Sequence, residues 1–218
     1  MISIQVNALY LKSLRHIMAV RDVRYYLNGV LVQCDVRGKF YVACDGHRLA
    51  VYFEKWGDGE EVQDCAVIIP GDVVKAIKPE KHGVAAVLSG AEKYQDEHGR
   101  TVVKSLDWKL DTFNGPALSF KAIDGKFVDW QRVIPEKVSG DVCGVNFDYL
   151  ADFNACLRDG TGAKFSAVVR YNGEGAAVVM PANDVPFLGV VMTMRGRTDD
   201  YARPEWLSMP REELKQAA

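Results

Sequence analysis

Alternating apolar and polar positions at the start of the chain predict a strand that leads into a helix. Residues 2–6 alternate, and Asn7 can cap a helix because its side chain can accept a hydrogen bond from an unpaired backbone N–H. Apolar residues then recur at helical spacing to about Val20. Three strands are predicted next, at 30–35, 40–44 and 48–53.

The same order of elements is predicted twice more along the chain. The second unit has a strand at 65–69 and a short helix that starts at Pro70. Its later strands are predicted at 84–88, 101–111 and 117–122. The third unit has a strand-like segment at 142–146, a helix at 147–157, and strands at 165–171, 176–180 and 187–194.

Three such β-α-β-β-β units predict an α+β fold of antiparallel sheets with helices on one face. Residues 1–136 are predicted to form one complete domain of two units, in which 124–135 is a linking segment. Residues 137–196 are predicted to form a half-size unit. The polar residues 197–218 are predicted to be a tail.

Composition narrows the class of protein without identifying it. The 218 residues are 48% hydrophobic and 26% charged, which is typical of a globular chain, and the net charge of −2 does not indicate a nucleic-acid binder. Five widely spaced cysteines fit reduced thiols better than a disulfide scaffold or a zinc site. We find neither a signal peptide nor a membrane-spanning segment, and therefore expect a cytoplasmic protein with no membrane partner.

Candidate catalytic groups are few. Asp45 and His47 lie two residues apart in a turn, beside Cys44, but a dyad needs a nucleophile and oxyanion donors that converge on it. No such set is evident, and the acidic cluster around His98 lacks the spacing of a metal site. We therefore predict that the chain is not an enzyme and binds no cofactor or metal.

Five short motifs follow one another in a fixed order along the chain. They are DVRYYLNG at 22–29, CDGHRLAV at 44–51, DGKFVDWQRVIP at 124–135, GVNF at 144–147 and VVMTMR at 190–195. In this order they resemble the middle and last domains of the bacterial DNA sliding clamp, the beta subunit of DNA polymerase III. The resemblance covers roughly residues 2–196 and implies a DNA-clamp-like fold in a shortened form. The family has six units per chain, whereas this chain has three, so a ring of twelve would need four copies.

The resemblance also implies a groove that holds short peptide motifs of partner proteins. Val128 and Thr193 stand where the family usually has proline. The methionines offer adaptable apolar surface, and the arginines can bond to peptide carbonyls or to an acidic group. The implied peptide-binding residues are Leu27, Cys44, Gly46, His47, Arg48, Leu49, Val128, Arg132, Val133, Val190, Val191, Met192, Thr193, Met194 and Arg195.

In the clamp family, basic residues on the helices and on a neighbouring loop meet the phosphates of DNA. Basic side chains give salt-sensitive binding without sequence preference, and aromatic rings can stack on bases. The implied DNA-binding residues are Lys12, Arg15, Arg21, Arg24, Tyr25, Tyr26, Lys75 and Lys78. The third helix departs from this pattern, because Asp148 and Asp152 are among its exposed positions.

We therefore expect a clamp-like accessory protein of DNA replication or repair. It would bind the clamp-binding motifs of replication or repair proteins, and would contact or encircle double-stranded DNA as a homo-oligomeric processivity factor. The alternative is a monomeric clamp-like module that competes for clamp partners without forming a ring. The half-size third unit fits the alternative, because units that build a ring are missing while the groove is kept.

Overall fold

The computed structural model describes residues 2–78, 85–90, 93–95, 101–103, 107–112, 116–163, 167–194 and 202–204. In these ranges short helices are interspersed with antiparallel strands, so the predicted α+β class is confirmed. None of the helices within the ranges is long and apolar enough to cross a bilayer.

The first unit contains β1 (Ile2–Asn7), α1 (Ala8–Ser13), β2 (Gly29–Asp35), β3 (Gly38–Cys44) and β4 (Arg48–Glu54). The Asn7 side chain caps α1 as predicted, by accepting hydrogen bonds from two backbone N–H groups at 3.0 and 3.1 Å. The helix does not reach Val20. A tighter 3₁₀ turn at Leu14–His16 follows α1, and Arg21 then takes a φ of 58°, which a right-handed helix does not allow.

The second unit contains β5 (Cys65–Pro70), α2 (Gly71–Ala76), β6 (Ala85–Gly90), β7 (Lys93–Gln95), β8 (Thr101–Val103), β9 (Asp107–Asp111) and β10 (Leu118–Lys121). The strand predicted at 101–111 therefore contains two strands, of which β8 pairs with β7 in a separate two-stranded sheet. Pro70 ends β5 in extended conformation, with ψ 145°, so that α2 begins one residue later than predicted.

The third unit contains α3 (Phe147–Thr161), β11 (Ala167–Arg170), β12 (Ala177–Pro181) and β13 (Phe187–Val191). Helix α3 is one turn longer than predicted, because Gly160 stays helical and the left-handed cap is Gly162 with φ 73°. Strand β13 ends at Val191 instead of reaching residue 194. Beyond Val191 the backbone makes isolated hydrogen bonds in place of a continuous ladder. One of them belongs to an isolated bridge between Met194 and Gly144.

Two sheets are built by exchange of strands between units. One sheet has the order β1-β6-β9-β10, and a larger one has the order β11-β12-β13-β4-β3-β2-β5. The first strand of the first unit thus pairs with the second unit, and β5 of the second unit pairs with β2 of the first. Strand β13 pairs with β4, which makes the sheet of the third unit continuous with that of the first.

Two apolar clusters hold these layers together. The main core lies on the helix side of the large sheet and includes Leu11 from α1 and Phe153 from α3, both fully buried. The Tyr52 hydroxyl on β4 donates to the carbonyl oxygen of Cys156 on α3 at 3.0 Å. A second cluster lies on the opposite face of the large sheet. The third unit therefore shares a core with the first, while the domain boundary at 136 stays a prediction.

Candidate functional site

The two segments that the sequence assigned to the walls of one groove lie side by side. In the ladder between β4 and β13, Leu49 is opposite Val190 and Arg48 is opposite Val191. Beyond the last ladder pair, the backbone N–H of Met192 donates to the carbonyl oxygen of His47 at 2.8 Å. The end of β13 and the turn before β4 therefore form one continuous surface.

The turn from 45 to 47 is fixed by its own side chains. Oδ1 of Asp45 accepts hydrogen bonds from the backbone N–H groups of His47 at 2.8 Å and Arg48 at 2.9 Å. Gly46 has φ 91°, and a Cβ at this position would lie 2.5 Å from the guanidinium of Arg24. Glycine is therefore needed both for the turn and for the close approach of Arg24.

Beneath the turn, one apolar cluster forms the floor of the candidate groove. Leu27, Cys44, Leu49 and Val190 are all buried in this cluster, and Val128 packs against it. Burial raises the pKa of the Cys44 thiol, which keeps it protonated and apolar in character. Five residues that the sequence assigned to the groove are thus brought together in a single layer.

The rim of the groove carries exposed apolar and basic side chains. Met192 and Met194 are 48% and 56% exposed, and Val133 is 38% exposed. Arg132 is exposed beside Val133 in the 3₁₀ turn at Trp130–Val133. Large exposed apolar side chains next to a buried apolar floor are typical of a surface that binds another molecule.

Arg48 differs from the other predicted groove residues. Side chains alternate along a strand, so Arg48 points to the helix side while its neighbour Leu49 points to the floor. The Arg48 guanidinium donates to Asp45 Oδ2 at 3.0 Å and to Asp152 Oδ2 at 2.5 Å. It also lies 4.7 Å from the ring centre of Tyr149. Arg48 thus joins the turn to α3, and its contact with a peptide stays a prediction.

Three further groove predictions need separate mention. Val191 alternates with Val190, so its side chain is fully buried in the main core and does not reach the groove. The Thr193 hydroxyl donates to the carbonyl oxygen of Glu174 at 3.3 Å, which orients this side chain toward the β11–β12 turn. Arg195 lies outside the described residues.

Sequence reasoning missed the aromatic anchors that hold the linking segment. Trp130 is buried in the floor cluster, and its indole N–H donates to Gln33 Oε1 at 3.0 Å. Phe127 is buried in the same cluster. A cavity of about 510 Å³ lies beneath residues 122–131, against β2 and β5. The spacing of Phe127 and Trp130 in a segment assigned as a linker was the signal that could have indicated this packing.

The basic residues predicted to meet DNA fall into two groups. Lys12 donates from Nζ to the carbonyl oxygens of Lys75 at 2.5 Å and Ile77 at 2.6 Å. Lys12 therefore provides hydrogen bonds to carbonyl groups at the C-terminal end of α2. Arg15 pairs with Asp159 on α3 at 2.7 Å. In the second group, the side chains of Arg21, Lys75 and Lys78 are exposed, as is that of Arg24.

The loop before β2 carries the remaining DNA-binding candidates. Arg24 donates to both carboxylate oxygens of Asp22 and to the carbonyl oxygen of Asp45. Tyr25 is 56% exposed, and its ring meets that of Tyr26 edge to face at 5.8 Å. This loop therefore presents an exposed aromatic surface beside a paired arginine.

Two carboxylates that contact the DNA-binding candidates, Asp22 in the loop before β2 and Asp159 on α3, have lowered pKa values. The hydrogen bond from Arg24 lowers the pKa of Asp22 to about 2. Burial alone would raise the pKa of Asp159, but hydrogen bonds from His16 and Arg158 and the charge of Arg15 lower it overall. Ion pairs thus offset the charge of two of the six cationic side chains that the sequence assigned to DNA, Arg15 and Arg24.

The arrangement of Asp45 and His47 differs from that of an acid–base pair. The Asp45 carboxylate bonds to the backbone of the turn and to Arg48, whereas the His47 ring lies against Tyr149, with ring centres 6.1 Å apart. A catalytic dyad needs the carboxylate to orient the imidazole. Asp45 stabilises the turn by hydrogen bonds instead.

Comparison with known proteins relates much of the chain to one family. Residues 8–92 match the family described as DNA polymerase III beta subunit, central domain. The beta sliding clamp of Haemophilus influenzae is 32% identical over 127 residues, which are 58% of this chain and 31% of that protein. The beta sliding clamp of Caulobacter vibrioides is 34% identical over 128 residues, or 56% and 30%. The chain therefore spans about a third of the length of these relatives.

Solved structures extend the similarity of fold to most of the chain. The DNA polymerase III subunit beta of Pseudomonas aeruginosa aligns over 89% of this chain and 67% of its own, with a TM-score of 0.65 and 20% identity. The Caulobacter crescentus pol III beta aligns over 89% and 66%, with a TM-score of 0.65 and 22% identity. The chain is thus similar to the bacterial DNA sliding clamps, the beta subunits of DNA polymerase III, in sequence over residues 8–92 and in fold over most of its length.

Proposed function

We propose that this chain is a cytoplasmic accessory protein of DNA replication or repair that binds short apolar peptide motifs of partner proteins. The peptide would lie in the groove between the 44–49 segment and residues 190–194, with Val128 at its side. The observation that carries the proposal is the bond from Met192 N–H to the His47 carbonyl, which joins the two walls. Similarity to proteins named sliding clamps supports the same conclusion.

The groove offers an apolar floor, flexible thioether side chains and an exposed arginine to a bound peptide. The floor is buried and apolar, so an inserted aliphatic or aromatic side chain would leave water without losing a hydrogen bond. The exposed thioethers of Met192 and Met194 can adapt to side chains of different shape. Arg132, which is exposed on the rim, can bond to a peptide carbonyl or an acidic side chain.

The test is a fluorescence titration with a labelled peptide that carries the clamp-binding motif of a bacterial replicative polymerase. We expect saturable binding by the native chain and at least a tenfold loss in Met194→Asp, because a carboxylate would be desolvated against the apolar rim. Val36→Asp is the matched control, since Val36 is 84% exposed in the distant β2–β3 turn. Absence of binding by the native chain would refute the proposal.

The clamp resemblance also suggests contact with double-stranded DNA. The exposed Lys75 and Lys78 on and after α2, together with Tyr25, would provide that contact. We expect Lys75→Gln with Lys78→Gln to weaken duplex binding and to reduce its salt dependence. Arg15→Gln should change it little, because Asp159 already pairs with Arg15.

One observation favours the second candidate, a module that competes for clamp partners without forming a ring on DNA. The carboxylates of Asp152 and Asp159 pair with Arg48 and Arg15, so α3 lowers the positive charge of the helix face. This candidate predicts peptide binding without measurable retention on duplex DNA at physiological salt. Retention of the chain on a closed circular duplex, with loss on a linear one, would instead favour the ring.

A further inference from the structure

The first two units of the chain complete each other by a reciprocal exchange. Strand β1 leads into α1 and pairs antiparallel with β6 of the second unit. Strand β5 leads into α2 and pairs antiparallel with β2 of the first unit. In both pairings, the strand just before the helix of one unit pairs with the strand just after the helix of the other unit.

The third unit has both halves of this arrangement, but among the described residues neither half has the strand partner that its counterparts have in the first two units. Strand β11 follows α3 and lies at the end of the seven-stranded sheet, and no strand within the described ranges pairs with its outer side. The 142–146 segment precedes α3, and Asn146 caps that helix as Asn7 caps α1. Its one ladder contact in the described part of the chain is the bridge from Gly144 to Met194.

Apolar side chains are exposed where the missing partner would lie. An open strand edge leaves backbone N–H and C=O groups available to another strand, and exposed apolar side chains next to it add area that pairing would bury. Besides the rim residues Met192 and Met194, the large exposed apolar residues of the third unit are Val142 at 65%, Phe147 at 79%, Val168 at 37%, Tyr171 at 37% and Met180 at 42%.

We infer that the third units of two copies of this chain pair with each other. The 142–146 segment of each copy runs antiparallel to β11 of the other, as β1 does with β6 and β5 with β2. The contact has two-fold symmetry, because each copy contributes the same two elements. It completes a two-unit domain from two half-size units.

A second copy fits this surface better than an unrelated peptide. A foreign strand could cover β11, but it would leave the 142–146 segment of the same chain unpaired. A second copy pairs both elements at once, and the exchange within residues 2–121 shows that this sequence builds such a contact. An apolar, self-complementary edge is also what a stable homodimer contact requires.

Mass in solution tests the contact directly. By light scattering after size-exclusion chromatography, we expect at least twice the 24.2 kDa of one chain at concentrations well above micromolar. Val168→Asp and Val142→Asp should each halve the mass, because two copies of the new charge would be buried at one interface. Val36→Asp, the same substitution at a more exposed valine in a distant turn, should leave the mass unchanged. A single-chain mass for the native protein would overturn the inference.

Hydrogen exchange then locates the contact. In Val142→Asp, amides of β11 should exchange faster than in the native chain, since they would lose their partner strand from the other copy. An oligomer whose mass neither variant changes, or faster exchange that spares β11, would place the contact elsewhere and overturn the inference. Circular dichroism melting of both variants checks that each still folds. Peptide binding in the groove should persist, which separates this test from that of the proposed function.

Discussion

The backbone N–H of Met192 donates to the carbonyl oxygen of His47 over 2.8 Å and so extends the contact between β13 and β4 beyond the last ladder pair. The two residues are far apart in sequence and come from different units. The exposed rim formed by the methionines therefore keeps its position only while the third unit stays joined to the first. The groove is a property of that junction, not of either unit alone.

Gly46→Ala should destabilise the chain and weaken peptide binding. Alanine would be strained at φ 91°, and its Cβ would lie 2.5 Å from the Arg24 guanidinium. We expect a loss of about 1–3 kcal/mol in the free energy of unfolding, measured by chemical denaturation. In an Arg24→Ala background the loss should be smaller, because only the backbone strain remains. Equal losses in both backgrounds would show that Arg24 does not crowd the turn.

Truncation of a side chain in the floor of the groove should lower stability, whereas truncation of one on the rim should lower peptide affinity. Leu49 is 1% exposed, so Leu49→Ala should cost about 2–5 kcal/mol of stability through the cavity it leaves. Met192 is 48% exposed, so Met192→Ala should change stability by less than about 0.5 kcal/mol and yet lower the affinity for the labelled peptide. Denaturation and titration of both variants give the comparison. A stable Met192→Ala with native affinity would remove the rim from the binding site.

Much of the local structure could be predicted from the sequence. The caps at Asn7 and Asn146 and the turn held by Asp45 follow from short polar side chains placed before helices and between strands. Side-chain alternation alone places Arg48 and Leu49 on opposite faces of the sheet, so the contact of Arg48 with the helix side could have been predicted. The resemblance to sliding clamps was needed to bring 44–49 and 190–195 together, because no local pattern pairs β4 with β13.

Long-range ion pairs could not be predicted from the sequence. The sequence predicts Asp152 only as an exposed position of the third helix, and it gives no indication of a role for Asp159. Their partners Arg48 and Arg15 are over a hundred residues away in sequence. Which charges meet depends on the angle at which α3 lies on α1, and that angle follows from the packing of the shared core. The pairing of Arg48 and Arg15 with carboxylates of α3 therefore follows only from the structure.

Asp159→Asn should lower stability in a manner that depends on pH. The pKa of Asp159 in the folded chain lies below its ordinary value of 3.8, so the carboxylate stabilises the fold well above that pH. This contribution is lost as pH falls through the folded-state pKa. At pH 7 we expect the native chain to exceed the variant by about 1 kcal/mol in unfolding free energy. The difference should shrink below pH 3.8, and a difference independent of pH would exclude the ion pair as its source.

Gly160→Ala should destabilise the chain, although alanine usually favours a helix over glycine by about 1 kcal/mol. A Cβ at residue 160 would lie 2.5 Å from the Tyr52 hydroxyl oxygen and 2.9 Å from Ser13 Oγ, and such overpacking costs about 1–3 kcal/mol. Tyr52→Phe alone should cost about 1 kcal/mol, because its hydroxyl donates to the carbonyl of Cys156 at 3.0 Å. Once that hydroxyl is removed, Gly160→Ala should cost less, with Ser13 Oγ at 2.9 Å as the remaining close contact. Urea denaturation of both single variants and the double variant measures this coupling, and strictly additive losses would show that Tyr52 does not crowd α3.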